Sequence, residues 1–413
     1  MSKKELVSTE PYKGVRDFYP EDQAFMQYLM ATFRDIVQHF GYVEYNASVL
    51  EPAELYRSKS SEEIVKEQTY TFIDRGDREV TLRPEMTPTV ARMVAAKRRE
   101  LGFPLRLFSM PNVFRYERPQ RGRLREHWQF NADLFGSHSP ASDAEIISVA
   151  SELMRAFGAT DQDFIIKINS RVFLNSLIKE FELSDNDAKR FIGLLDRRAK
   201  MPHEDFTEEL GALGVPLTRL SPDNVPDDVA EILEALANLG ITNALFDPSV
   251  VRGFTYYTGM VFEVFDTHPD NTRSLFGGGR FDNLLANFSD EEVPAVGFGM
   301  GDVTMHDFLA VRGLLPAYMP PTHVYVAVTG PDITPYANAF AQELRTQGVA
   351  VEVDFGERKL TDQIKTAAKH QVPHLIVIGQ DELASQTVVV RNLETGSETK
   401  LDRTELAAFF LNL

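Results

Sequence analysis

Apolar residues recur at helical spacing over residues 22–40 (Phe25, Tyr28, Leu29, Phe33, Ile36, Val37, Phe40) and stop at Gly41, which predicts an amphipathic helix. YVEYNASVLEP then reads as extended, and residues 69–83 alternate like a hairpin turning at Asp74–Asp77, with a glycine at 76. Residues 86–102 return to helical spacing, with Arg92, Lys97, Arg98 and Arg99 on the helix. Strands with scattered helices, rather than regular βαβ alternation, predict a mostly antiparallel sheet in an α+β catalytic domain. From about 172 to 245 strand signals vanish and amphipathic patterns dominate (VFLNSLIKEFEL, DAKRFIGLLDRRAK, DDVAEILEALANLG), which predicts a helical insertion. Strand character resumes in VVRGFTYYTGMVFEVF (250–265), followed by FGGGRFDNLL and AVGFGMGD. The insertion therefore interrupts one domain, 1–171 and 246–315, and chemistry is expected from both flanks. PAYMPP (316–321) reads as a stiff linker. Beyond it, over 322–413, HVYVAVT, a helix at 333–347, VAVEVDF, a helix at 361–371, HLIVIG and TVVVRNL alternate. That predicts a small parallel or mixed α/β domain covered on both faces.

A chain of 413 residues with 43% hydrophobic and 25% charged residues is of ordinary globular composition. No apolar run is long enough for a transmembrane helix, and the opening MSKKELVSTEPYKG lacks the apolar core of a secretory signal. The absence of cysteine removes disulfides and thiolate metal sites and fits a cytoplasmic protein. A net charge of -18 argues against a coat-like nucleic-acid binder, though not against an enzyme that meets RNA through local basic patches.

The stretch RLFSMPNVFRYERPQRGRLREHWQFNADLFG (106–136) carries the densest candidate chemistry. It gathers Arg115, Arg118, Arg121, Arg123 and Arg125 around a Pro-Gln-Arg-Gly turn between two strand-like segments. Arginine offers a planar, permanently charged fork that matches phosphate oxygens, so a hairpin aiming several into one space suits a polyphosphate. With Glu117, Asp133 and aromatic residues beside it, the loop reads as a built pocket. In TLRPEMTPTVARM, Glu85 and Thr87 precede a helix and suit an ammonium group, while Thr87 also fits a helix cap with Pro88 in the first turn. Arg252 lies in an apolar, aromatic segment and is expected to meet an anion. By strand parity, only one of Tyr256 and Tyr257 shares a face with Glu263. GGGR (277–280) and GFGMG (297–301) lack P-loop and dinucleotide spacing and are expected to permit close backbone approach to a ligand or a tight helix–strand junction. His370 and His374 are four apart but read as helix-end polar residues rather than a metal site.

Taken in order, these segments resemble histidyl-tRNA synthetases, class II aminoacyl-tRNA synthetases. KGVRDFYP (13–20) is similar to the family's opening, YVEYNASVLEP with Pro52 to its first motif, and FRYE (114–117) with the arginine loop to its second. VRGFTYYTG is similar to its histidine-specific signature, LLDRRAKMP to its insertion domain, and VEVDFGERKLTDQIKTAAKH to its anticodon-binding domain. The resemblance implies activation of L-histidine by ATP with Mg2+, transfer to tRNA(His), and a homodimer with the first motif at its interface. It implies that Arg115 holds the α-phosphate, Glu117 the adenine edge and Arg123 the γ-phosphate, with His127 stacked on adenine. Glu85, Thr87 and Gln129 would bind the α-ammonium, and Asp133 and Tyr257 the imidazole nitrogens, with Tyr256 in the same pocket. Arg252 would contact histidine and stabilise charge at the α-phosphate.

Three positions depart from the common pattern. Thr304 stands near the place of the third motif's ATP-contacting arginine, with no replacement inside that motif. Phe281 replaces a tyrosine and Thr255 an aspartate. A branch found in some bacteria and plant organelles is similar at these segments. The competing expectation is a non-catalytic, histidine-sensing regulatory subunit of ATP phosphoribosyltransferase. Such subunits generally lack an anticodon-binding domain and tend to lose the arginine that Arg252 represents. In the C-terminal domain, Arg358, Lys359 and Lys365 are the basic candidates for RNA.

Overall fold

The computed structural model describes residues 7–57, 68–120, 122–252, 256–288, 292–355 and 357–412. The chain divides into two compact units, Met1–Pro316 and Ala317–Leu413. The arginine loop's Arg121 and the departure at Thr255 lie outside the described residues.

The first unit is built on a sheet of nine strands among the described residues. In spatial order these are β1 (Val43–Glu44), β5 (Leu105–Ser109), β7 (Glu126–Phe135), β12 (Ala295–Gly301), β11 (Ser274–Arg280), β10 (Met260–Asp266), β8 (Phe164–Ser170) and β9 (Ala244–Phe246). The ninth, β6 (Asn112–Phe114), pairs with β7. Its pairings are antiparallel except β1 with β5 and β8 with β9, so the α+β expectation holds. A smaller antiparallel sheet orders β2 (Leu50–Pro52), β4 (Glu79–Leu82) and β3 (Tyr70–Ile73). In its hairpin, Asp77 (φ 57°) rather than Gly76 takes the left-handed conformation.

The helix Pro20–His39 buries Met26, Leu29, Phe33 and Val37, one stripe of its 3.6-residue period, against one face of the large sheet. Phe33 is fully buried and meets Phe108, Phe130 and Phe298 at ring-centroid distances of 6.0, 5.3 and 6.4 Å. Burial of one such ring is worth roughly 1.5–3 kcal/mol. The helix Pro140–Ala156 covers the same face, which frees the opposite face for chemistry.

Between β8 and β9 the chain is helical. Helices Arg171–Glu180, Asp185–Arg197 and His203–Ala212 share a core of Leu174, Leu177, Phe191, Leu194, Phe206 and Leu210. The next helix, Asp227–Asn238, packs Val229, Ile232 and Leu236 into the core of the large sheet.

The second unit is a five-stranded mixed sheet. Its order is β14 (Val351–Val353), β13 (Val324–Val328), β15 (His374–Ile378), β16 (Thr387–Asn392), β17 (Glu398–Asp402). The first three run parallel and the last two pairings are antiparallel. Alternate residues of β13 enter two cores: Val324, Val326 and Val328 beside Phe340, and Tyr325 and Ala327 beside Ala367. Both faces are therefore covered, which explains why β13 is apolar throughout. His374 is buried against Phe409 and Phe410, and His370 pairs with Glu352, so the two histidines part company.

Candidate active site

The open face of the large sheet is floored by glycine. Across β10, β11, β12 and β7 the register aligns Glu263, Gly277, Gly299 and Asn131 in one row, and Val261, Gly279, Gly297 and Asp133 in the next. A Cβ on Gly297 would collide with the Asp133 carboxylate, one on Gly299 with the Gln129 amide, and one on Gly279 would stand 2.9 Å from the Tyr257 ring. The glycines thus clear room for side chains of neighbouring strands.

β7 supplies one wall. Its alternation puts His127, Gln129, Asn131 and Asp133 on a single face, and His127, Gln129 and Asp133 line the cavity. Gln129 donates to Asn131 at 2.8 Å. Burial pushes the Asp133 carboxyl up to about 8, because lost hydration penalises the charged form. His127 moves the other way: burial, then Arg115 and Arg16, push it down to about 3, so the ring is neutral.

The arginine hairpin forms a second wall. β6 and β7 pair with Val113 opposite His127, and Gln120 and Arg123 bridge the tip, where Gly122 has a φ of 75°. Arg115 donates to the Pro84 carbonyl at 2.9 Å, and Arg123 pairs with Glu117 at 3.4 Å. Both arginines line the cavity. The expectation of many converging forks is corrected at Arg118 and Arg125. Arg118 is exposed and does not line it. Arg125 lies 4.0 Å over the Tyr116 ring and donates to the Tyr12 hydroxyl at 3.1 Å, clamping the N-terminal segment.

The third wall comes from the turn after β4, the start of the helix Thr87–Lys97 and the segment before β10. Glu85 is buried and accepts from the Tyr256 hydroxyl at 3.2 Å. Thr87 is the first residue of the helix Thr87–Lys97, whose cap position is Met86. No side chain caps this helix, which corrects the cap reading, and Thr87 lines the cavity instead. The strand-parity expectation for the tyrosines also fails, because β10 begins only at Met260. Both Tyr256 and Tyr257 enter the cavity, with ring centroids 4.8 Å apart.

Arg252 takes a left-handed backbone (φ 47°) and donates to Glu263 at 3.1 Å and to the Gly277 carbonyl at 3.2 Å. Burial works against its charge, but Tyr257 and Glu263 hold its pKa above the ordinary arginine value. The expected anion is therefore Glu263, while the guanidinium still faces the cavity. Phe281 sits edge-on to Phe135 and Tyr256, at 6.1 and 5.9 Å, so its ring braces Tyr256 without a hydroxyl. Thr304 donates to the Leu275 carbonyl at 2.6 Å, tying the helix Asp302–Val311 to β11.

All eleven residues singled out from the sequence (Glu85, Thr87, Arg115, Glu117, Arg123, His127, Gln129, Asp133, Arg252, Tyr256 and Tyr257) line one cavity of about 1100 Å³. Sequence reasoning missed Arg273, which lines the cavity and which no motif marks. It also missed Lys167, which lines the cavity paired with Asp247 at 2.9 Å.

Known proteins resemble the chain over nearly its whole length. The histidyl-tRNA synthetase family model matches residues 14–215 and 218–302, and the anticodon binding domain model matches 323–413. A histidine--tRNA ligase of Leptospira biflexa is 41% identical over 96% of this chain and 96% of that protein. One of Haloarcula marismortui is 35% identical over 94% of each. The crystal structure of histidyl-tRNA synthetase from Nostoc sp. PCC 7120 shares the fold at a TM-score of 0.83 and 23% identity, covering 98% of this chain and 100% of that one. An arginine hairpin against a glycine-floored antiparallel sheet is here the core of a class II aminoacyl-tRNA synthetase. Within that class, the chain belongs to the histidyl-tRNA synthetase family.

Proposed function

We propose that the chain activates L-histidine with ATP and transfers it to the 3′ end of tRNA(His). The observation that carries this reading is the meeting, in one cavity, of an arginine wall suited to polyphosphate with a buried pocket of Glu85, Asp133, Tyr256 and Tyr257. In the first step a histidine carboxylate oxygen bonds to the α-phosphorus, the bond to the β-phosphate oxygen breaks, and pyrophosphate leaves. The carboxylate is ionised near neutral pH, so no general base is needed. What is needed is in-line placement and stabilisation of the charge on the transferring group. Arg115 and Arg252 would serve that charge, with Arg123 on the γ-phosphate once it leaves Glu117. Glu117 would then take the adenine edge, and His127, being neutral, would stack on the base without repelling the arginines. Glu85, Thr87 and Gln129 would hold the α-ammonium, and Asp133 and Tyr257 the imidazole. A pocket of buried polar groups rejects isosteres because an impostor leaves those groups unpaired. In the second step the terminal ribose hydroxyl of tRNA attacks the histidyl carbonyl and AMP leaves.

Mg2+ fits this site as a companion of ATP. No three acidic or histidine side chains converge into a metal cage among the described residues. Magnesium is commonly held by substrate phosphates with one or two carboxylates, where it neutralises phosphate charge. We place the catalytic core in residues 1–171 and 246–315, the insertion in 172–245, the linker in 316–321 and the anticodon-binding domain in 322–413. The C-terminal unit and Arg252 both favour this reading over a histidine-sensing regulatory subunit. A cytoplasmic homodimer is the proposed working form. Among the described residues, no helix is long and apolar enough to cross a membrane. Charging of a tRNA(His) transcript with labelled histidine tests the reading. Label should appear only with ATP and tRNA(His), and its absence at saturating substrates would contradict it.

A further inference from the structure

Resting on the adenylation reading, we infer that Arg273 is a phosphate-binding residue that supplies the positive charge missing at position 304. Five other cationic side chains line the cavity, and four are already engaged. Arg252 pairs with Glu263, Arg123 with Glu117 and Lys167 with Asp247, while Arg115 is held by the Pro84 carbonyl. Arg273 is exposed, lines the same cavity and has no carboxylate partner among the described residues. Among the described residues, its hydrogen bond is a long 3.5 Å donation to the Gln120 amide oxygen at the tip of the arginine hairpin.

The surroundings of Arg273 converge on Thr304. The Thr304 hydroxyl donates to the Leu275 carbonyl, two residues along from Arg273. At the hairpin tip, a Cβ on Gly122 would stand 3.8 Å from the Thr304 methyl. Hairpin tip, start of β11 and start of the helix Asp302–Val311 therefore form one corner, and Arg273 projects from it. A planar fork held only by a neutral amide can exchange that contact for two charge-assisted bonds to phosphate oxygens. Lys200 also lines the cavity, but on the helical insertion, without a contact to the hairpin. The ligand chemistry is the β,γ-phosphate pair of ATP, the part that departs as pyrophosphate.

The test is histidine-dependent ATP–pyrophosphate exchange in wild type and Arg273→Ala, with the Kd for histidine measured by calorimetry. The expected result is a rise in KM for ATP of threefold or more, with the histidine Kd within twofold. A smaller rise in KM, or a parallel loss of histidine binding, overturns the assignment. Wild type without exchange would instead sink the adenylation reading, and the assignment with it.

Discussion

Asp133 on β7 and Gly297 on β12 are register partners, and the carboxylate occupies the space where a side chain at 297 would begin. The acid proposed to read histidine is thus seated by a residue more than 160 positions away in sequence. Gly297→Ala should displace it. Overpacking of this kind costs about 1–3 kcal/mol. Thermal unfolding should show that loss, and the KM for histidine should rise at least tenfold. An alanine variant with wild-type KM would mean that the close approach does not position Asp133.

The same carboxylate makes a pH prediction. Burial raises its folded pKa to about 8, against an unfolded value of 3.8. Between these values the folded chain holds the proton and the unfolded chain has released it, so stability falls as pH rises. This contribution is fully present below about pH 4 and lost by the time pH has passed through about 8. Denaturant unfolding of wild type and Asp133→Asn over pH 5–9 checks it. The difference should move in favour of Asn as pH rises and level off above 8.

Tyr256→Phe removes the donor to Glu85 and leaves the ring in place against Phe281. The lost hydrogen bond to a charged group is worth about 1.5–3 kcal/mol. Histidine affinity, read by calorimetry, should weaken by roughly tenfold or more at that cost. ATP affinity should hold.

The three basic candidates of the C-terminal unit are expected to separate. Arg358 donates to the buried Asp354, to the Tyr325 hydroxyl and to Thr366, so it is built into the unit. Arg358→Ala should lower the unfolding midpoint. Lys359 and Lys365 are exposed, and Lys365 pairs with Asp362 at 3.6 Å. Neutralising both should raise the KM for tRNA with unfolding and pyrophosphate exchange unchanged.

Periodic features were legible from sequence. The helix at Pro20–His39, the hairpin around 74–77 and the alternation of strands and helices after 321 follow from burial of one face at a fixed period. The site residues were legible as a set, because their order along the chain resembles a family. Their geometry was not. Arg125 looked like a cavity arginine, but its neighbours are Tyr12, Lys13 and Gly14, about 110 residues earlier. Tyr256 and Tyr257 escaped strand parity because β10 begins only at Met260. Arg273 carries no local signal. Its meaning comes from Gln120 and from the hydrogen bond that Thr304 makes to Leu275.

Adenylation of histidine in this cavity is tested by pyrophosphate exchange, with Arg252→Ala as comparison. Removing a charge-stabilising donor of this kind typically lowers the rate by about 10²–10³-fold. The account predicts exchange that requires histidine in wild type and a loss of that order in the variant, with histidine still bound. Equal exchange in the two proteins, or none in wild type while histidine binds, would contradict it.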